Sequence, residues 1–175
     1  TVTKVDMIEV CASNAPNSGS ISTLFTGGNG LTAAGCGNLF EVQVANPNGI
    51  KVTSLDINTR AAVTTSVGIH VYITPVDYLA NHNNSELWVK VSTGNGASAG
   101  GLVATNIDVD DFYLAPGKYG VYVVYLSGGT HYTNGNGTNQ SYQNCDLKID
   151  LGVSKNTIFS GSAFNPRIWN GSIHY

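Results

Sequence analysis

One stretch of the chain has the spacing of a serine nucleophile motif. Gly96, Ser98 and Gly100 match the GxSxG elbow, in which the serine lies at a strand-to-helix turn of an α/β fold. Here the match falls between two predicted strands and is filled with alanines. We interpret it as a flexible loop and predict no catalytic residue from it.

The acidic and histidine residues do not form the groups that hydrolases and metal sites use. Glycoside hydrolysis needs two carboxylates that face each other across a cleft, whereas Glu9, Glu41 and Glu86 lie on or beside separate predicted strands. The histidines lack HxH or HExxH spacing and predict no metal site; they are His70, His82, His131 and His174. We therefore expect that the protein is not an enzyme.

Asp108, Asp110 and Asp111 form the one acidic cluster of the sequence. Oxygen ligands at such short spacing can bind Ca²⁺ outside the cell, although EF-hand spacing is absent. The alternative is a set of solvated turn residues. The sequence leaves a calcium site open and predicts no other cofactor.

Three cysteines, Cys11, Cys36 and Cys145, are the candidates for a disulfide. Their spacing does not match a zinc site. Because the number is odd, at most one internal disulfide forms and one thiol remains. That thiol either bridges two chains in an oxidising exterior or packs as a small buried apolar side chain.

Two sets of residues connect the sequence with carbohydrate. The N-x-Ser/Thr sequons are glycosylation candidates, at Asn83, Asn136, Asn139 and Asn170. Aromatic rings on a sheet can stack on a sugar, and the candidates are Trp88, Trp169 and Tyr132. Such rings are more often core residues or cross-strand pairs, so both interpretations stay open.

The composition argues against several classes of function. Charged residues make up 11% of the 175 residues and the net charge is −3, whereas a nucleic-acid-binding face needs clustered Lys and Arg. No apolar run approaches the ~20 residues of a membrane helix. The chain begins without methionine, so we expect a processed or trimmed form. A surface so poor in charge is common on exported proteins, and we expect an extracellular or cell-surface location.

Alternating apolar residues predict β-strands along most of the chain. Phe40, Val42 and Val44 alternate with polar residues and place one apolar face toward a core. Similar alternation covers residues 67–73, 87–91, 119–125 and 147–151, and further strands are predicted at 50–58, 102–109 and 167–175. Turns rich in Gly, Asn and Pro separate them, at residues 46–49, 94–96, 116–117, 128–129 and 134–137.

These strands predict an all-β, antiparallel β-sandwich or jelly-roll-like domain, because sustained helical spacing is absent. Tyr119 follows the Pro116-Gly117 turn. It is predicted either to tie the preceding loop to its strand, as in a tyrosine corner, or to be an ordinary core residue.

From about residue 24 to 175 the chain resembles a group of bacterial secreted and surface β-sandwich modules of unassigned activity. The residues that carry the resemblance are Gly27-Gly28-Asn29-Gly30, Leu39-Phe40-Glu41-Val42, Leu55-Asp56-Ile57-Asn58, Val71-Tyr72, Trp88, Leu114-Ala115-Pro116-Gly117-Lys118-Tyr119-Gly120, His131-Tyr132-Thr133-Asn134-Gly135 and the end of the chain. That end, residues 164–175, is similar to a Pro-Arg-x-Trp-Asn-Gly-x-Ile-x-Tyr close of those modules. The resemblance implies an exported sandwich and implies no reaction.

Residues 1–20 are predicted to be a strand extension with a hinge, and residues 21–175 the sandwich domain. The strand-like segment has its apolar positions at Val2, Val5, Met7, Ile8 and Val10. This segment either adds to the sheet edge of another subunit or pairs within its own domain, and the sequence leaves both open.

We therefore expect an extracellular structural subunit that self-assembles into a fibre, filament or surface layer by strand addition at sheet edges. The expected partners are copies of the same chain, in a homo-oligomer or polymer. The alternative is a carbohydrate-binding or adhesive surface module with a glycan as its partner.

Overall fold

The computed structural model describes residues 18–27 and 29–175. These residues form antiparallel strands without an α-helix, and one turn of 3₁₀ helix, Ser85–Leu87, precedes the sixth strand. The all-β prediction is confirmed. No helix in the described ranges is long and apolar enough to cross a membrane.

The strands are named β1 to β14 in chain order. Their bounds are Ser20–Ser22, Asn29–Leu31, Cys36–Val44, Ile50–Ile57, Ser66–Thr74, Val89–Ala97, Thr105–Leu114, Gly117–Tyr125, Thr130–Asn134, Ser141–Gln143, Leu147–Lys155, Ala163–Phe164, Arg167–Trp169 and Gly171–His174. One large sheet has the order β1-β14-β4-β7-β6-β5-β8-β3-β11-β10, with β12 beside β11. A small sheet has the order β13-β9-β2.

The large sheet folds into two layers around one core. Val52 of β4 and Leu114 of β7 line the same small apolar space as Val71 of β5 and Val123 of β8. The two edge strands also approach each other, because the side chain of Asn144, next to β10, donates to the Ser20 carbonyl in β1 (3.1 Å). The result is a sandwich whose sheet nearly closes on itself.

The predicted alternation in β3 is present in the structure. Phe40, Val42 and Val44 are buried and Gln43 is exposed. In β8 both faces are buried, because a second layer of side chains covers the outside of the sheet there. This outer cluster consists of Leu39, Trp88, Tyr122, Val124 and Val153.

The turn into β8 has the predicted tyrosine corner. Tyr119 Oη donates a hydrogen bond to the carbonyl of Ala115 across 3.1 Å. The ring thereby ties the crossing loop to the first residues of its own strand.

Of the core positions predicted within residues 87–91, two are wrong, whereas Val91 packs against the core. Leu87 and Val89 are exposed, and Trp88 between them is buried. The indole N–H of Trp88 donates to the Asn81 carbonyl (3.1 Å), and its ring packs edge-on against Tyr122. Trp88 is therefore buried in the outer cluster, on the outside of the sheet, with its polar atom paired.

Two predicted boundaries around β6 and β7 also differ. Residues 94–96, predicted as a turn, continue β6 to Ala97. A Cβ at Gly94 would lie 2.6 Å from the Asp108 carbonyl oxygen, so glycine here allows a close approach of β7. The strand predicted from residue 102 begins at Thr105, because Leu102 has a positive φ of 64° and lies in a turn.

The predicted boundary between residues 20 and 21 falls inside β1. Ile21 lies opposite Ile173 of β14, and Gly19 exchanges backbone hydrogen bonds with Tyr175 at 2.5 and 2.9 Å. The last residues of the predicted hinge therefore belong to the sheet. The predicted assembly positions lie outside the described residues: Val2, Val5, Met7, Ile8 and Val10.

Candidate functional site

An open depression of about 390 Å³ lies on the outer face of the sheet, beside the connection from β5 to β6. Its walls are residues 75–79 together with Glu41, Lys118 and Tyr119. At the rim, Lys118 Nζ donates to Glu41 Oε1 across 3.0 Å. Burial and the nearby carboxylates raise the pKa of Tyr78 to about 12, so its phenol stays protonated at neutral pH.

The lining of this depression suits a polar ligand with an apolar face. The carboxylates of Glu41 and Asp77 accept hydrogen bonds, and the Lys118 ammonium donates them. Two half-buried rings, Tyr78 and Tyr119, add aromatic surface. A few placed polar groups among aromatic side chains are typical of small-molecule sites.

Ser98 is used by the fold. It is buried, its hydroxyl donates to the Ala61 carbonyl (3.0 Å), and the hydroxyl accepts the N–H of Gly100 (3.0 Å). The serine braces the turn after β6, and no helix follows it. This geometry is that of a turn and lacks the strand-to-helix elbow that the motif requires.

The three aspartates of the predicted calcium site do not converge. They lie in strand β7, where Asp111 pairs with Lys51 at 2.7 Å and Asp110 accepts from the Thr93 hydroxyl at 2.8 Å. In residues 18–27 and 29–175, no group of three or more His, Cys, Asp or Glu side chains is placed to hold a metal ion. Asp108, Asp110 and Asp111 are thus strand residues and not the solvated turn residues of the alternative.

The prediction of a glycan-stacking surface is wrong, because its three aromatic rings are buried. Trp88, Trp169 and Tyr132 are 6%, 1% and 3% exposed. Trp169 stacks on Phe40 with ring centroids 4.8 Å apart, and the Arg167 guanidinium covers the ring of Tyr132 at 5.3 Å. Each ring fills the protein interior, where a sugar cannot reach it.

The four sequons lie in different environments. Asn170 is fully buried, so the prediction of Asn170 as a glycan acceptor is wrong for the folded protein. Asn139 is partly buried and accepts the N–H of Asn136 (3.0 Å). Asn136 is exposed. Asn83 is exposed, and its amide nitrogen donates to the Gly161 carbonyl (3.2 Å).

The cysteines divide into one free thiol and one disulfide. Cys36 is free and fully buried, and burial raises the pKa of its thiol to about 11. Of the two alternatives for the unpaired thiol, Cys36 is therefore the one that packs as a small buried apolar side chain. It cannot bridge to another chain without unfolding. Cys145 is disulfide-bonded. Cys11 lies outside the described residues.

Sequence reasoning missed a buried lysine at the end of β11. Lys155 is 0% exposed, and its Nζ donates to the His82 ring nitrogen Nδ1 (2.8 Å), to the His82 carbonyl (3.2 Å) and to Asn83 Oδ1. The signal was present, because Lys155 stands two positions after Val153 and so lies on the same face of the sheet, which the outer cluster covers. The tyrosines of the depression gave no comparable signal.

No protein-family model matches this chain, and no curated protein sequence matches it. The resemblance to bacterial surface modules therefore stays a prediction. The function has to be argued from the geometry of the chain itself.

Proposed function

We propose that this protein is a structural subunit of a cell exterior that assembles with copies of itself by strand addition. One observation carries the proposal. β6 and β7 are neighbours in the large sheet, yet in the described residues their ladder contains only the pairs Gly94 with Val109 and Asn95 with Asp108. No further ladder pair joins the two strands within the described residues. We name the space between residues 89–92 and residues 111–114 the β6–β7 opening.

Each strand at this opening is paired on its other side. Lys90 of β6 lies opposite Tyr72 of β5, and Tyr113 of β7 lies opposite Lys51 of β4. The closed end of the opening is sealed by Ser92, whose hydroxyl donates to the Asp110 carbonyl (2.6 Å). The far end therefore presents two strand edges, which are templates for pairing with another chain.

The side chains at the opening leave it accessible. Val89 and Tyr113 are 61% and 59% exposed. The edges carry no proline, and their charged residues are Lys90 and Asp111, of which Asp111 is paired with Lys51 of β4 at 2.7 Å. Lys90 is therefore the one unpaired charge among these edge residues that could protect them.

The occupant we propose is the segment of residues 2–10 from a second copy. Its sequence is apolar and strand-like, and Asp6 and Glu9 complement the charge of Lys90. Among the described residues, the apolar void between β4, β5, β7 and β8 has a volume of only about 10 Å³, so the core is closely packed there.

The proposal is tested by sedimentation of the full chain over a range of concentrations, followed by electron microscopy. We expect oligomers or filaments for the parent protein. Val89→Lys places a charge at the β6–β7 opening and should shift the population to monomer, whereas Val63→Lys, at a position with 63% exposure, should assemble as the parent does. Ile8→Pro removes an N–H of the donor segment and should act like Val89→Lys. A parent chain that stays monomeric at high concentration, or two lysine variants that assemble equally well, contradicts the proposal.

The depression beside β5 supports a second candidate, a carbohydrate-binding or adhesive module. It combines carboxylates, an ammonium and two tyrosines in one open site. A glycan array of the full chain tests it, with Tyr78→Phe and Asp77→Asn expected to weaken binding and Tyr113→Phe, outside the depression, expected to leave it unchanged. An array without any bound glycan removes this candidate.

A further inference from the structure

The side chain of Lys155 is buried without an acidic partner. None of the ion pairs found among the described residues involves it. Its three contacts are all neutral acceptors from the loop of residues 81–84, namely the ring and carbonyl of His82 and the side-chain oxygen of Asn83. A buried ammonium with neutral partners only is costly. Burial accordingly lowers the pKa of Lys155 to about 8, which makes the neutral, nucleophilic amine accessible near physiological pH.

The carboxamide of Asn83 is held against this amine. Its nitrogen donates to the Gly161 carbonyl across 3.2 Å, and its oxygen is in close contact with Lys155 Nζ. The contacting oxygen is bonded to Cγ, so the amine lies beside the one electrophilic carbon of the side chain. Lys155 shares its sheet face with Val153 of the outer cluster, so its amine is buried, whereas Asn83 reaches it from the exposed side of the loop.

A third group is placed to move the proton. His82 Nδ1 lies 2.8 Å from Lys155 Nζ. Burial, followed by the charge of Lys155, lowers the pKa of His82, so the ring is neutral and can accept a proton at neutral pH. Because Nζ donates, Nδ1 is the acceptor nitrogen of this pair.

We propose that Lys155 and Asn83 join in an intramolecular isopeptide bond. Nζ attacks Cγ, and the new C–N bond forms as the bond from Cγ to Nδ2 breaks. His82 accepts the proton released by Nζ and delivers it to Nδ2, which leaves as ammonia. The reaction exchanges one amide for another, so it needs no oxidant, reductant or further reactant.

The product would fasten the β5–β6 connection to the end of β11 covalently. It would also use the amide nitrogen of Asn83, so the same asparagine cannot carry a glycan. The proposal is independent of self-assembly, because it concerns residues inside one chain and is read out on the monomer.

Intact mass spectrometry of the purified, reduced full chain tests the proposal. We expect a mass below that of the sequence by one molecule of ammonia. Proteolysis should yield a branched peptide that contains both Lys155 and Asn83 and survives reduction. A parent chain at its full sequence mass, with the two peptides recovered separately, overturns the proposal.

One side reaction has the same mass and must be separated from the cross-link. Asn83 precedes Asn84, and a succinimide formed with the next backbone nitrogen also loses ammonia. Lys155→Met abolishes the cross-link but leaves succinimide formation unchanged. The proposal is therefore overturned if Lys155→Met still lacks one ammonia and the parent protein yields no branched peptide.

Two further variants test the mechanism. Asn83→Asp should lose water in place of ammonia and yield the same branched peptide. His82→Ala should form the cross-link about 100-fold more slowly, as expected when a general base is removed. Cross-linking at the parent rate in His82→Ala would overturn the role of His82.

Discussion

Phe40 and Trp169 stack face to face, with their ring centroids 4.8 Å apart and their planes inclined by 13°. Phe40 belongs to β3 of the large sheet and Trp169 to β13 of the small one. The indole N–H of Trp169 also donates to Tyr125 Oη (3.2 Å). Trp169 is therefore one of the residues that attach the small sheet to the core of the large one.

We predict that Trp169→Ala lowers the free energy of unfolding by about 3–5 kcal/mol, because it removes a fully buried ring and leaves a cavity. Trp169→Phe keeps the stacking but loses the bond to Tyr125, and it should cost less. Denaturant unfolding measures both. Val63→Ala, at an exposed position, is the control and should change stability by less than about 0.5 kcal/mol. Equal stability of the parent and Trp169→Ala would contradict the role assigned to the ring.

The second prediction concerns the thiols. Cys36 should resist alkylation in the native protein and react in denaturant, because it is buried and its pKa is raised to about 11. Peptide mapping without reduction should recover Cys145 in a disulfide-linked peptide and Cys36 in a peptide with a free thiol. Rapid labelling of Cys36 in the native state, or a peptide that joins it to Cys145, would show that the assignment is wrong.

The third prediction is a dependence of stability on acidity at Asp56. Burial alone would raise its pKa, but hydrogen bonds from Asn106 and His174, together with the charge of His174, hold the pKa below its ordinary value. Asp56 Oδ2 lies 2.8 Å from His174 Nε2 and Oδ1 accepts from Asn106 at 2.9 Å. The stabilising contribution is complete above the ordinary pKa of 3.8 and is lost as pH falls through the lower value of the folded state.

Acid unfolding curves of the parent and Asp56→Asn check this. The difference in stability between the two proteins should shrink below about pH 4. A difference that does not change with pH would show that the charge of Asp56 contributes nothing. Glu86→Gln, at an exposed carboxylate of the 3₁₀ turn, is the matched control.

Much of the fold follows from the sequence, for reasons that particular strands make clear. In β3 the pattern of Phe40, Val42 and Val44 has one buried face, and local alternation alone predicts it. In β6 the alternation misleads, because Trp88 is buried in the outer cluster, whereas Val89, opposite Ile73 on the other face, is 61% exposed. A covered outer face depends on a loop distant in sequence, which no local pattern reports.

The candidate sites were less accessible to sequence reasoning. The GxSxG match and the aspartate run were local patterns, and the fold uses Ser98 for a turn and Asp111 for an ion pair. Lys155 and Asn83 are separated by 72 residues, and only the pairing of β11 with its neighbours brings them together. Such long-range encounters are decided by topology and leave only a weak trace in the local sequence.

The fourth prediction tests the close approach of β6 and β7. Gly94→Ala would place a Cβ 2.6 Å from the Asp108 carbonyl and 2.7 Å from Ile107 Cγ2. The backbone there cannot move away easily, so we expect the free energy of unfolding to fall by about 1–3 kcal/mol, as for overpacking in a core. Lys90 lies on the same strand and is exposed, so the control Lys90→Ala should change the free energy of unfolding little. If Gly94→Ala unfolds at the denaturant concentration of the parent, the junction is looser than the structure indicates.

The pairing of Gly19 with Tyr175 determines how the domain would respond to mechanical force. β1 and β14 are antiparallel, so tension applied at Gly19 and Tyr175 acts at the same end of their ladder. Hydrogen bonds loaded in this way break one after another, as in a zipper, and do not share the load as they would in shear. Traction at these two points would therefore peel β1 away at low force, while the layers joined by Phe40 and Trp169 stay folded.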